Sequence, residues 1–149
     1  MFYMGSTERV DKKDLRIIEL LTANARSSLR EMAAIVNLSP SSIRNRMARL
    51  VDLGVIKRYT LELDHRQLGL EVQVVVLVGS RPAASDTIYK KLSGFEEISS
   101  VLRTSGPANF ICMVRVRDIS QLTRFITGEL EKLEGVERIE TMFILPQDD

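Results

Sequence analysis

Six residues able to contact a nucleic acid lie close together in this chain: Ser41, Ser42, Arg44, Asn45, Arg46 and Arg49. The surrounding stretch, LSPSSIRNRMARLVDLGVIKRY at 38–59, holds five basic residues and one acid, although the 21 basic and 20 acidic residues of the whole chain nearly cancel. Guanidinium groups pair with phosphates or guanine, a carboxamide pairs bidentately with adenine, and short hydroxyls allow close approach to a groove floor. At about 100° per helical residue, Ile43, Met47 and Leu50 face one way. Ser41, Asn45 and Arg49 face the other, with Ser42 beside them and Arg44 and Arg46 on the flanks. Lys57, Arg58 and Arg66 extend the basic character beyond the helix. The chemistry implied is contact with double-stranded DNA. The same charges also suit a solvated helix face that binds nothing, so the decision falls to the elements that carry them.

Those elements form three helices in the first third of the chain. Asp11 caps a helix over 10–23, with Leu15, Ile17, Ile18, Leu20 and Leu21 as its apolar arc. Ser28 and Glu31 have capping-box spacing at the start of a helix over 28–36, whose Leu29, Met32, Ala33 and Val36 share one face. Ser39-Pro40 opens the third helix, and Gly54 closes it after Leu53. Two helices separated by a short turn, after a lead-in helix, make a helix-turn-helix. VIKRYTLELD alternates and is rich in β-formers, which predicts a strand or hairpin as a wing. HRQLGLE reads as a hinge.

From residue 71 the pattern changes. EVQVVVLVG is a strand, 85–93 a helix with Ser85 as N-cap, and EISSVLRT and FICMVRV are strands joined by the turn SGPAN. Asp118 caps a second helix that Gly135 ends, and VERIETMFIL is the last strand. The order βαββαβ is the ferredoxin-like plan, with both helices on one face of an antiparallel sheet. The first strand is apolar on both faces, so the uncovered face calls for a second copy of the chain. The fold class is therefore α+β. Residues 1–9 read as a disordered or tag-like start, 10–60 as the DNA-binding domain, 61–70 as the linker and 71–149 as the second domain.

The totals narrow the function further. Residues 1–64 hold 11 basic and 8 acidic groups and residues 65–149 hold 10 and 12, which places the polyanion-facing surface in the first half. Cys112 is the single cysteine, so no intrachain disulfide forms, and it sits on an apolar strand as a core thiol. MFYMGSTER lacks the apolar core of a signal peptide, and no apolar run reaches the roughly 20 residues of a membrane span. The expected location is the cytoplasm, with no membrane partner. His65 is the only histidine and lies in the hinge. With no phosphate loop and no metal-ligand spacing, neither a catalytic site nor a cofactor is expected.

VDKKDLRIIELLTANARSSLREMAAIVNLSPSSIRNRMARLVDLGVIKRY resembles the N-terminal domain of the Lrp/AsnC (feast/famine) transcription regulators. The resemblance rests on Asp11-x-x-Asp14, Ala25-Arg26, the LS turn, Arg46 followed by ARL, and GVI. It continues through the βαββαβ half, which looks like that family's RAM domain. It implies a homodimer through the RAM sheets, with dimers joining into tetramers or octamers, and two recognition helices on a pseudo-palindromic site. It also implies a small effector, commonly an amino acid, held by the loop Thr104, Ser105, Gly106, Pro107, Ala108 and Asn109, with Thr141 lining the pocket. The family loop usually ends in an aspartate. Asn109 stands there instead, and an amide offers an ammonium group hydrogen bonds without charge. Two other readings share these residues. One is an architectural protein that compacts DNA without an effector. The other is a sirohaem decarboxylase, whose resemblance implies pocket histidines that residues 71–149 lack.

Overall fold

The computed structural model describes residues 9–145. Of the expectation for a disordered or tag-like start, all but Arg9 lies outside them. The chain divides into two compact units, Met1–Glu62 and Leu63–Asp149.

The first unit is three helices, α1 (Lys12–Ala23), α2 (Leu29–Val36) and α3 (Pro40–Asp52). Each start is set by a side chain that satisfies orphan N–H groups. Asp11 and Asp14 form a reciprocal capping box on α1, Ser28 and Glu31 form one on α2, and Ser39 accepts from the Ser42 N–H on α3, where Pro40 stands at N1. The α2 helix ends at Asn37 in the left-handed region (φ 58°), and Gly54 takes a positive φ just after α3. Ile17, Met32, Ala33, Val36 and Ile43 form the buried core of this unit. The wing expected over VIKRYTLELD forms no strand; 55–64 is irregular, with Val55, Tyr59, Leu61 and Leu63 exposed. A two-stranded ribbon alone is marginal in water, and no third strand lies within these residues to hold it.

The second unit is a four-stranded antiparallel sheet of β1 (Val72–Ser80), β2 (Ile98–Arg103), β3 (Phe110–Val116) and β4 (Val136–Phe143), in the order β2-β3-β1-β4. The crossovers are α4 (Ser85–Leu92) and α5 (Ile119–Phe125), the latter widening into a π-helical turn over Ile126–Leu130. Asp118 caps α5 as expected. Ser85 does not cap α4: a 3₁₀ turn over Pro82–Ala84 leads in, and Ser85 is already the first α-helical residue. Val74, Val76, Val78, Phe110, Cys112 and Val114 turn toward Ile88, Leu92, Leu122, Phe125 and Leu130 to make the core. Burial raises the Cys112 thiol to about 11, so it stays protonated at neutral pH.

Among the described residues of this unit, both helices lie on that one side of the sheet and none covers the other. There Val75, Leu77, Ile111 and Met113 are half-buried, and Leu102 and Met142 are exposed. The turn into β4 is tight. Gly135 has φ +94°, and a Cβ there would overlap the Ala84 side chain. Gly135→Ala is expected to lower stability by about 2–3 kcal/mol, read as a fall in urea midpoint at unchanged slope.

Candidate nucleic-acid interface and effector cavity

Helix α3 presents its expected residues unequally. Ser41, Arg44 and Asn45 are exposed and Ser42 is half-buried. The hydroxyls of Ser41 and Ser42 lie 3.1 and 2.9 Å from that of Ser39, so the cap also orders the first turn. Arg46 and Arg49 do not stand free in solvent, and here the expected outward face needs correction. Arg46 Nη1 donates to Asp11 Oδ2 at 2.7 Å and to Asp14 Oδ1 at 2.8 Å. Arg49 Nη2 pairs with Asp14 Oδ2, and its Nη1 donates to the Arg9 carbonyl at 2.7 Å. The Asp14 side chain is fully buried, while those of Arg46 and Arg49 keep 25% and 44% exposure. A buried carboxylate needs paired charges to repay its lost hydration, and these two guanidiniums supply them.

Burial pushes the Asp11 carboxyl up. Hydrogen bonds from the Asp14 N–H and from Arg46, with the Arg46 charge, outweigh that and hold it below its ordinary value. Hydrogen bonds to Asp11 and Asp14 raise Arg46 correspondingly. Ser42, Asn45, Arg46 and Arg49, with Arg9 and Asp11, line an open concavity of about 490 Å³. Lys57 and Arg58 are exposed beyond the helix, and Arg58 borders a second groove with Ile18, Leu21 and Tyr59. Arg66 belongs to the second unit. The sequence reading missed Asp11 and Asp14 as partners of the α3 arginines. Their spacing marked a helix start and a family resemblance, with no sign of a partner on α3.

In the second unit, Thr104, Gly106, Pro107 and Ala108 line a cavity of about 330 Å³ together with Leu77, Gly79, Arg138 and Glu140. Ser105 is exposed at the loop tip. Asn109 serves the loop itself: its Oδ1 accepts from the Ser80 N–H at 2.6 Å, and its own N–H donates to Val78 O at 2.9 Å. Thr104 Oγ1 donates to Ala108 O at 2.5 Å. The task at position 109 is to accept one backbone hydrogen bond, which an amide oxygen performs as a carboxylate oxygen would. Thr141 pairs with Val76 and therefore shares the helix-covered face, not the face of Leu77, Gly79, Arg138 and Glu140. This corrects its expected place in the pocket. Arg138 and Glu140, two residues apart on β4 and ion-paired, are the charged groups that the sequence reading did not pick out.

Known proteins resemble the chain along both units. Residues 73–147 match the family model described as the Lrp/AsnC ligand binding domain, and residues 10–57 match a winged helix-turn-helix DNA-binding model. The HTH-type transcriptional regulator LysM of Sulfurisphaera tokodaii is 31% identical over 85% of this chain and 89% of its own length. The HTH-type transcriptional regulator FL11 of Pyrococcus furiosus is 30% identical over 95% of this chain and 91% of its own. The solved structure of B. subtilis LrpC superposes with a TM-score of 0.81 at 28% identity, covering 94% of this chain and 97% of that one.

Two outcomes follow from the carboxylate network. Asp14→Ala strands two guanidiniums and removes half of a capping box. It is expected to cost about 2–4 kcal/mol, measured by urea unfolding. The Asp11 carboxyl is depressed in the folded state, so its contribution is present above its unfolded value and lost as pH falls through the folded one. As pH falls below about 4, the urea midpoint of the wild type should therefore fall more steeply than that of Asp11→Asn, which keeps the cap.

Proposed function

The chain belongs to the Lrp/AsnC family of helix-turn-helix transcriptional regulators, and on that premise we propose how its own residues carry out DNA binding and its control. The carrying observation is the exposed run Ser41, Arg44 and Asn45 on a capped helix of a three-helix unit. Asn45 reads a base through its carboxamide, Ser41 and Ser42 permit close approach, and Arg44, Lys57 and Arg58 hold phosphates. Arg46 and Arg49 act from the concavity beside Asn45, held by carboxylates.

The bare sheet face, with Leu102, Val75 and Met142, supports a homodimer and larger assemblies built on it. A dimer would bring two α3 helices to successive major grooves about 34–36 Å apart, or a multiple of that. The cavity at Gly106–Ala108 supports control by a small molecule, an amino acid or related metabolite. Arg138 there suits a carboxylate and Glu140 an ammonium group once a ligand opens their mutual ion pair, and Gly79 leaves space beside Arg138, whose Cβ would lie 3.2 Å from a Cβ at 79. Such a ligand regulates only by binding two assembly or DNA-bound states with different affinity. The molecule acts as a regulator and not as an enzyme; its regulator relatives support that reading.

Selection of bound sites from randomised duplexes tests the interface. Asn45→Ala is expected to relax base preference at one position per half-site, with a cost of about 1–3 kcal/mol on the selected site. Arg44→Ala is expected to weaken all sequences alike and to flatten the log–log salt slope by about 0.9. Identical behaviour of the two variants would refute this division of roles. Titrating each of the twenty amino acids against DNA affinity and solution mass tests the cavity. A shift in either is expected for at least one, with Glu140→Gln weakening it.

A further inference from the structure

The network under α3 contains one carboxylate that folding alone does not require. Asp14 is buried and fully used by Asp11 N–H, Arg46 and Arg49. The Asp11 side chain is 53% exposed and lies on the wall of the same concavity as Ser42 and Asn45. As a cap it needs only an oxygen to accept from the Asp14 N–H at 2.8 Å, which asparagine or serine would supply without charge. Its second oxygen takes Arg46 Nη1 at 2.7 Å. On a surface that meets a polyanion, an exposed carboxylate repels phosphates and occupies the cation beside it.

We propose that Asp11 is a specificity-determining residue, which withholds Arg46 from indiscriminate phosphate contact while fixing it for a directed one. This rests on the DNA-binding reading above. Both carboxylates take hold of the same nitrogen, Nη1, and Nη2 engages neither. The guanidinium is thus clamped in one orientation, with its charge cancelled and one donor edge left over. Binding to arbitrary DNA is driven by counterion release, and Arg46 adds little to it while Asp11 is charged. Binding to a selected site also draws on positioned hydrogen bonds, which a clamped donor makes at smaller entropic cost. The carboxylate therefore lowers background affinity more than it lowers cognate affinity, and so widens the ratio between them.

The test compares wild type, Asp11→Asn and Asp11→Ser on a duplex selected from random sequence and on an unrelated duplex of equal length, across a salt series. Both variants keep a competent N-cap, and circular dichroism checks that they keep the wild-type helix content. On the unrelated duplex they are expected to bind about three- to tenfold tighter, with a salt slope steeper by about 0.9. The gain on the selected duplex should be smaller, so that the ratio falls in both. Adding Arg46→Gln should cancel the background gain. An unchanged slope and ratio, or equal weakening on both duplexes, would reduce Asp11 to a cap and overturn the proposal. If wild type binds neither duplex at low salt, the DNA-binding reading itself fails, and this inference with it.

Discussion

The Asp14 carboxylate is the constraint on which the N-terminal unit depends. It is fully buried, and an ionised carboxyl in such a place is costly unless its oxygens are paired. One of its oxygens also accepts the Asp11 N–H and closes the capping box of α1, and the two between them take guanidiniums from two successive turns of α3. Helix start, helix packing and arginine orientation are therefore satisfied together by one group. A buried pair of this kind gains little net stability over an apolar replacement. Its yield is geometric: α3 can sit in one rotation against α1, with Asn45 outward and Ile43 and Leu50 inward.

That arrangement changes the electrostatics of the helix. Counted along the chain, α3 looks strongly positive. Counted in space, Arg46 and Arg49 are balanced by Asp11 and Asp14, and Arg44 carries the unpaired charge of the helix face. In the proposed interface, long-range attraction to a polyanion would then fall to Arg44, Lys57 and Arg58, and contacts near Asn45 to groups already held in place. A helix that neutralises part of its own charge gives up raw affinity, and affinity for any phosphate is the component least useful to a protein that must distinguish sites.

The C-terminal unit follows a different logic. Its core is a single layer between sheet and helices, and Val74, Val76, Val78, Cys112 and Val114 need only face inward. The reverse face carries Val75, Leu77, Ile111 and Met113, and Leu77 also lines the cavity bounded by Gly106–Ala108, Arg138 and Glu140. Asn109 links these parts by tying the loop to the end of β1. The loop is built on that hydrogen bond, and the charged side chains that line the cavity are Arg138 and Glu140.

What the chain order determined was local. Asp11, Ser28, Ser39 and Asp118 mark their helices because a cap acts over three residues. The inward sets of α2 and α3 follow from a 3.6-residue period, and the βαββαβ order follows from strand and helix patterns alone. What only the tertiary structure decided was anything joining distant residues. Asp14 and Arg46 are 32 positions apart, so neither signals the other, and an arginine on the flank of a helix looks solvated until a carboxylate from another helix reaches it. Resemblance alone assigns Thr141 to the pocket, and only its pairing with Val76 shows that it lies on the helix-covered face, away from the cavity of Leu77, Arg138 and Glu140. The absent wing has the same cause. Alternating β-formers at 55–63 state a preference, and a strand exists only where another backbone accepts its hydrogen bonds.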